Sequence, residues 1–378
     1  MSTPIYLDYA ASTPVDPRVL DAMLPWFTDR PANTASQHGP GVQATEAVEQ
    51  ARNQVADMLG CDAAAVCFVS GATESCNLAL KGLMRPRLRR GEPVHIISTA
   101  IEHAAVLEPL RRLEREGAEI DLVPPTPGGC IDPAAVERRL REDTALVSVM
   151  WVNNELGTVN DVGAIGSLCR DRGVLMHCDA SQAPGKVAID LSTLPLDAVS
   201  VCAHKMYGPK GAGALVLQGR AEGRPVEPLL EGDGHEQGLR SGTLDVPALV
   251  GWGAACDLVQ EEFEADRDRI ATFRDRLIQV AKEVVPSMRV NGDPSQCVPH
   301  ILNLTLPSPS PDALIDRLPG IACTGGAACA SLRNAGSHVL TAIGVDTSAV
   351  PHTIRLSLGR PTTEADIAAA TAHLQTLN

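Results

Sequence analysis

The feature that most constrains the fold is the alternation of short apolar runs with helical patterns over more than half of the chain. These runs predict strands at 66–70, 94–99, 145–152, 174–178, 197–202 and 213–217. Residues 43–59 carry apolar side chains on one helical face and end just before Gly60, which predicts a helix. Because strands that alternate with helices form mostly parallel sheets covered by helices, the sequence predicts an α/β fold.

The remainder of the chain has a different pattern. From Phe263 to Val284 apolar side chains recur at helical spacing, and Pro286 ends the segment, which predicts a long helix between two domains. The elements predicted after it are a strand at 301–306, a helix near 335–343, a strand at 354–358 and a final helix from about 363. These elements predict a smaller α+β layer.

The length of the chain agrees with two packed units. A chain of 378 residues is too long for one small core and suits two domains. We expect a large domain formed by residues 15–260. Residues 1–14 and 261–378 are expected to form a small domain.

Composition excludes several classes of function. The net charge is −14, from 32 basic and 46 acidic side chains, and aromatic residues make up 3 %. Both values disfavour direct contact with nucleic acid or with an anionic membrane surface. There is no run of 18 apolar residues, and the first residues do not resemble a secretory signal. The eleven cysteines lack the spacing of a disulfide framework or a metal site, so we expect reduced thiols, no metal and a cytoplasmic location.

Two charged residues at predicted strand ends are candidates for cofactor chemistry. Lys205 lies in the stretch His204-Lys-Met-Tyr-Gly-Pro-Lys-Gly211, directly after the strand 197–202, where a lysine suits a Schiff base. A surface lysine in a turn is the alternative. Asp179 ends the strand 174–178 and can pair with a protonated pyridine nitrogen, although it can equally cap a helix.

Three further strand ends carry polar residues. The turn Ser70-Gly-Ala-Thr-Glu74 opens a helical pattern and offers free backbone N–H groups to a phosphate, unless it is a plain connection. His103 could lie over a cofactor ring and move protons, or it could be a structural histidine. Asn153 and Asn154 could bind a ring substituent or form a turn.

The C-terminal third offers a nucleophile and an anion site. Cys329 lies among small residues in Cys323-Thr-Gly-Gly-Ala-Ala-Cys-Ala-Ser331, and thiolate attack requires a thiol in such accessible surroundings. A buried, inert cysteine is the alternative. Arg355 interrupts an apolar strand, and a buried arginine needs either a substrate carboxylate or an internal Asp or Glu.

The order of these signals along the chain resembles that of the cysteine desulfurases, a group within the class V aminotransferases of fold-type I pyridoxal-phosphate (PLP) enzymes. The matching stretches are Tyr6-Leu-Asp-Tyr-Ala-Ala-Ser-Thr-Pro14, Ser70-Gly-Ala-Thr-Glu-Ser75, Glu102-His103, Val152-Asn-Asn-Glu-Leu-Gly157, Asp179-Ala-Ser-Gln182, His204-Lys-Met-Tyr-Gly-Pro-Lys-Gly211, Gly234-His-Glu-Gln-Gly-Leu-Arg-Ser-Gly-Thr243 and Ile354-Arg-Leu-Ser-Leu-Gly-Arg360. The resemblance therefore implies a fold-type I architecture and a desulfurase that converts L-cysteine to L-alanine.

The resemblance also implies roles for individual residues. It implies that Lys205 holds PLP and shuttles protons, and that Cys329 attacks the substrate sulfur and carries it as a persulfide to an acceptor protein. The other implied cofactor contacts are His103 stacked on the ring, Asp179 at its nitrogen, Asn154 and Gln182 at its substituents, and Ala72, Thr73, Cys202 and His204 at the phosphate. Thr243 is expected to reach the phosphate from the second subunit of a homodimer. Asn33, Asn154 and Arg355 are expected to bind the substrate.

The chain departs from the family pattern in two places. Cys202 replaces a serine that usually binds phosphate, and a thiol is the weaker hydrogen-bond donor. The usual serine-rich approach to the catalytic cysteine is replaced by Thr324-Gly-Gly-Ala-Ala328, and Cys323 adds a second thiol six residues before Cys329. The spacing from Cys329 to Ser337-His-Val-Leu340 still matches, so Cys329 remains the predicted nucleophile.

Two other functions compete with this prediction. A selenocysteine lyase, or another PLP-dependent lyase or aminotransferase, would share the fold, but those that need no thiol nucleophile do not account for Cys329. A non-catalytic scaffold of a sulfur-transfer complex would not need Lys205, Asp179, His103 and Cys329 together. The acceptor is left open, because iron–sulfur assembly, tRNA thiolation, DNA phosphorothioation and thio-metabolite synthesis all use such a donor.

Overall fold

A computed structural model describes residues 4–308, 313–325 and 336–377. Its helices are α1 (Pro17–Met23), α2 (Pro25–Thr28), α3 (Gly39–Leu59), α4 (Ala72–Arg89), α5 (Ala104–Arg115), α6 (Pro133–Glu137), α7 (Val162–Asp171), α8 (Val246–Val284), α9 (His338–Ala342) and α10 (Glu364–Gln375). Its strands are β1 (Ile5–Tyr6), β2 (Val66–Val69), β3 (His95–Thr99), β4 (Glu119–Val123), β5 (Thr144–Ser148), β6 (Leu175–Asp179), β7 (Ala198–Cys202), β8 (Gly213–Leu217), β9 (Arg289–Val290), β10 (Ile301–Thr305), β11 (Ile321–Ala322), β12 (Thr324–Gly325) and β13 (Thr353–Ser357).

The central sheet has seven strands in the order β2-β8-β7-β6-β5-β3-β4. The run from β7 to β4 is parallel, and β8 is antiparallel to both of its neighbours. Every strand but the edge strand β4 is almost wholly buried, because helices cover both faces. Strands buried on both faces are continuous apolar runs in the sequence, which is why they could be recognised there. The α/β fold class is confirmed.

Two helical layers cover this sheet. Helices α4 and α5 pack on one face, with Leu80, Leu83 and Leu110 in a core that also holds Ile96 and Leu215 of the sheet. Helices α3 and α8 pack together on the other face, where Trp252 lies 5.8 Å from the ring of Phe68. Burial of these large side chains fixes the sheet, and with it the positions of the loops at the strand ends.

A second, four-stranded sheet of antiparallel neighbours has the order β12-β13-β10-β9. It forms a separate core with α10 and the C-terminal half of α8, whose buried residues there include Ile270, Phe273 and Leu277. The first strand joins this layer, since β1 pairs with β11 and Leu7 is part of the same core. The proposed division at residue 260 therefore falls inside α8, whose N-terminal half packs in the large core.

Several element boundaries differ from the sequence predictions. The strand predicted at 145–152 ends at Ser148, because Val152 pairs with Val159 and the chain turns away. The long helix begins at Val246, well before Phe263, and its N-cap is Asp245. Strand β4 was not predicted, since at the sheet edge only one of its five side chains is buried and it carries Glu119 and Asp121.

Candidate active site

The largest group of predicted site residues lines one cavity of about 680 Å³ at the carboxyl ends of the parallel strands. Sheets of this kind bind ligands at that edge. One side, which we call the sheet wall, is formed by residues that follow strands of the central sheet: Thr73, His103, Asp179, Gln182, Cys202 and Lys205. The opposite side, the arginine wall, is formed by Asp8, Thr324, Gly336, Ser337, His338 and Arg355.

Lys205 is the central cation of the sheet wall. It ends a single 3-10 turn, Ala203–Lys205, that follows β7 directly. Its Nζ donates hydrogen bonds to the backbone oxygens of Ala10 and, at 2.9 Å, Ala11. Burial holds the pKa of Lys205 below its usual value, because removal from water disfavours the ammonium. A lysine that loses its proton easily is the better nucleophile toward a carbonyl group.

Asp179 ends β6 and is nearly buried, with its carboxylate on the cavity. Its Oδ1 accepts hydrogen bonds from the backbone N–H of Ser181, at 3.0 Å, and from the Ser181 hydroxyl. Residues 180–187 form turns, so the alternative of a helix cap is wrong. The two hydrogen bonds fix the orientation of this carboxylate at the cavity.

The turn before α4 has the geometry of an anion site. Helix α4 begins at Ala72, one residue after Gly71. Gly71 has a φ of 152°, which glycine adopts more easily than residues with a Cβ. A Cβ at Gly213 would lie 2.5 Å from the Cα of Gly71, so the neighbouring strand approaches this turn closely. Because the first backbone N–H groups of a long helix have no helical partner, they can bind a phosphate.

Cys202 and His204 lie beside this turn. Cys202 is fully buried at the end of β7, and burial raises the pKa of its thiol to about 11. Burial, and secondly the charge of Lys205, lowers the pKa of His204 to about 4. Both side chains are therefore uncharged near neutral pH and can act only as hydrogen-bonding groups.

His103 caps the other helix that begins at this edge. Its Nδ1 accepts the backbone N–H of Ala105 at 3.0 Å, so the neutral ring carries its proton on Nε2. The ring faces the open cavity, and its partial burial lowers the pKa of His103. The neutral form, which is the one suited to stacking on an aromatic ring, is thereby favoured.

Gln182 and Asn154 contribute amides to the cavity. The Gln182 Nε2 donates to the backbone oxygen of Ala10 at 2.8 Å, whereas its buried Oε1 has no hydrogen-bond partner among the described residues. Buried acceptors are rarely left unpaired, so Oε1 is suited to a donor supplied by a ligand. Asn154 lines the cavity, and its backbone oxygen accepts a hydrogen bond from Arg355 at 2.8 Å.

Arg355 is the cation of the arginine wall and is 5 % exposed. Its Nη2 donates to the Asp8 Oδ1 at 2.7 Å and to the Thr324 hydroxyl at 2.9 Å. Of the two anions considered for Arg355, the internal carboxylate is therefore present in the chain itself. Its position on the cavity leaves the second, a substrate carboxylate, within reach.

The predicted nucleophile Cys329 lies outside the described residues. The chain on both sides of its segment lines the cavity, through Thr324 before it and Gly336 after it. Cys323 does not line the cavity. It packs against the small core, and burial, with the charge of Asp8 second, raises its pKa to about 12. Cys323 is therefore a poor source of thiolate.

Two predicted residues are not brought into the cavity of the chain. Asn33 is exposed, accepts the backbone N–H of Ala35 at 2.8 Å, and lines a separate surface depression. Thr243 is exposed on the loop before α8. Neither residue therefore lies at the site within one chain. Thr243 was expected to act from the second subunit of a homodimer, so its role stays a prediction, as does that of Asn33.

Comparison with known proteins identifies the family. The family model for aminotransferase class-V matches residues 5–369. The chain is 45 % identical over 370 residues to the cysteine desulfurase IscS of Pectobacterium carotovorum subsp. carotovorum (strain PC1), covering 97 % of this chain and 91 % of that protein. The chain belongs to the class-V aminotransferases. The resemblance stated from the sequence motifs is confirmed.

Solved structures of class-V proteins agree with this assignment. A NifS-like protein superposes with a TM-score of 0.90 at 32 % identity over 99 % of both chains. A structure described as SspA in complex with cysteine superposes with a TM-score of 0.82 at 35 % identity, covering 93 % of this chain and 98 % of that one. The fold-type I architecture expected from the resemblance is confirmed.

The cavity fits the cofactor of class-V enzymes. The unpaired acceptor of Gln182, the open helix start at Ala72 and the carboxylate of Asp179 are spaced along one wall, with Lys205 among them. Within the described ranges, no cluster of His, Cys, Asp or Glu could hold a metal ion. In that part of the chain, no helix is long and apolar enough to cross a membrane.

Sequence reasoning missed two residues at this class-V site. Lys186 is buried, donates to the Lys205 backbone oxygen at 3.3 Å, and has a pKa lowered to about 7 by burial and then by the charge of Lys205. A lysine four residues after Gln182 was the available signal. Asp8 lies within the stretch that begins at Tyr6, but only the fold brings it to Arg355, 347 positions away.

Proposed function

We propose that this protein is a PLP-dependent cysteine desulfurase that converts L-cysteine to L-alanine and leaves the sulfur as a persulfide on Cys329. The observation that carries the proposal is the single cavity, which joins a cofactor-type wall around Lys205 and Asp179 to the two ends of the segment that holds Cys329. The identity to cysteine desulfurases over nearly the whole chain supports the same reaction.

The residues of the sheet wall have distinct roles in this proposal. When bound, PLP supplies a pyridinium ring that stabilises negative charge at the substrate α-carbon. Asp179 holds the proton on the ring nitrogen, and Gln182 and Asn154 orient the ring substituents. The backbone at Ala72 and Thr73, with Cys202 and His204, holds the phosphate. The low pKa of Lys205 lets its amine accept the α-proton and return it to the product.

Sulfur transfer is proposed to take place at the arginine wall. The Cys329 thiol loses its proton, and the resulting thiolate forms an S–S bond with the substrate sulfur as the C–S bond breaks. The proton released by the thiol replaces sulfur on the substrate carbon. L-cysteine and one thiol thus give L-alanine and one persulfide, with no external oxidant. Arg355 is proposed to hold the substrate carboxylate during this transfer.

We also infer a homodimer in which Thr243 of the partner subunit completes the phosphate site. Support comes from the exposure of Thr243 on a loop of the single chain. Sedimentation in solution tests the dimer. A cytoplasmic location is proposed with it.

The test of the function is a balanced product assay. Purified protein loaded with PLP should release sulfide and L-alanine in equal amounts from L-cysteine and a reductant. Without reductant, one sulfur per chain should remain on Cys329 and be found there by mass spectrometry. Capture of proteins by this persulfide form would identify the acceptor. Alanine release without bound sulfur would reject the proposal.

A further inference from the structure

The three nitrogens of the Arg355 guanidinium differ in how many hydrogen bonds they donate. Both hydrogens of Nη2 are used, one by the Asp8 carboxylate and one by the Thr324 hydroxyl. Nη1 donates to the Asn154 backbone oxygen at 2.8 Å. The Nε–H is buried and has no hydrogen-bond partner in the part of the chain that the structure describes. Nη2 is therefore the most heavily used nitrogen, although it is the one a second carboxylate needs most.

The geometry of a guanidinium explains this need. A carboxylate binds arginine most strongly through two parallel hydrogen bonds, and a guanidinium offers two such edges. One edge pairs Nε with Nη2 and the other pairs Nη1 with Nη2, because the side-chain carbon blocks the third. Both edges include Nη2. A substrate carboxylate cannot take either edge while Asp8 and Thr324 hold that nitrogen.

We propose that Asp8 is an internal stand-in for the substrate carboxylate. Asp8 occupies the binding edge of Arg355 until the substrate displaces it. This inference rests on the proposed role of Arg355 in the desulfurase reaction. Asp8 is suited to the exchange because its side chain is 22 % exposed and faces the cavity, whereas that of Arg355 is 6 % exposed. Arg355 is thus never left as an unpaired buried charge, which would be costly.

The exchange also involves the strand that leads toward Cys329. Thr324 donates its hydroxyl to the same Asp8 oxygen at 2.8 Å, and it pairs with Arg355 in the ladder between β12 and β13. The three side chains therefore form one hydrogen-bonded set drawn from the N-terminal segment and both strands. Release of Asp8 from Arg355 changes the partners of Thr324 as well.

The experiment compares ligands with and without a carboxylate. L-alanine, the product, and L-alaninamide, which lacks the carboxylate, are titrated into PLP-loaded protein by calorimetry, and KM for L-cysteine is measured alongside. Asp8→Asn keeps the size of the side chain and removes its charge. We expect L-alanine to bind roughly fivefold more tightly to this variant, as for one partly exposed charge interaction, and KM to fall in parallel. L-alaninamide should bind as it does to the wild type.

Three outcomes overturn the proposal. Weaker binding of L-alanine to Asp8→Asn would make Asp8 a residue that orients Arg355. Equal changes for both ligands would assign Asp8 to general packing, and no change would mean that it does not compete. Thr324→Val, which removes the other Nη2 partner, should tighten L-alanine in the same direction and serves if Asp8→Asn does not fold. Arg355→Gln tests the proposed function separately, because it should abolish the preference for L-alanine over L-alaninamide.

Discussion

The two walls of the cavity differ in how their charged groups are satisfied. On the sheet wall, the Lys205 Nζ donates to backbone oxygens, and the Gln182 Oε1 has no partner among residues 4–308, 313–325 and 336–377, so this wall suits a group brought from outside. On the arginine wall, Arg355 already has a carboxylate from its own chain. We infer from this difference that the sheet wall is preorganised for the proposed cofactor, whereas the proposed substrate site must exchange partners before it can bind.

The largest expected effect tests the sheet wall. Lys205→Ala should lose the borohydride-reducible covalent link to PLP and lower desulfurase activity by roughly 10³-fold or more, since the same amine moves the substrate proton. Absorbance of the purified protein and peptide mapping after reduction measure the link. Lys210→Ala is the matched control, because Lys210 also lines the cavity and lies in the same stretch.

The nearby lysines provide the outcome that would contradict this assignment. Lys186 is buried against the Lys205 backbone and has a pKa lowered to about 7, so it too could react with a carbonyl group. A reduced link mapped to Lys186 or Lys210 would move the centre of the sheet wall. The lysine that binds PLP would then be Lys186 or Lys210, and the sheet wall would have to be described around that residue.

A second prediction tests which thiol serves the arginine wall. Cys329→Ser should keep the absorbance of bound PLP but reduce sulfide release to below about 1 % of wild type, because a hydroxyl cannot take up sulfur. Cys323→Ser should retain most activity, since burial has raised the pKa of that thiol to about 12. Sulfide production by both variants decides the point, and loss of activity in Cys323→Ser would shift the nucleophile by six residues.

The two walls also differ in how well the sequence predicted them. Lys205, Asp179 and the turn at Ala72 were identified because they end or follow strands whose apolar runs were recognisable, and in the fold they line one cavity at the carboxyl ends of those strands. The pairing of Asp8 with Arg355 depends on how β1 and β13 pack in the small layer, which no local pattern encodes. Asn33 and Thr243 were expected from the resemblance alone, and the fold of one chain leaves both outside the cavity.

The smallest expected effect concerns Cys202, the departure from the family pattern within the preorganised wall. Cys202 is fully buried, lines the cavity and pairs in the sheet with Gly213, which closely approaches the turn at Gly71. A serine there would be a stronger donor to the phosphate than the thiol. A charge-assisted hydrogen bond contributes about 1.5–3 kcal/mol, so Cys202→Ser should tighten PLP by up to about a hundredfold.

The control for this variant separates phosphate binding from the cost of burying a hydroxyl. Cys169→Ser alters an equally buried thiol of α7 that does not line the cavity, so it should lower thermal stability and leave PLP affinity unchanged. PLP dissociation constants for the wild type and both variants are the measurement. Equal affinity in Cys202→Ser would mean that the α4 turn and His204 already saturate the phosphate. In that case the thiol is a packing residue, and the sheet wall is preorganised by its backbone alone.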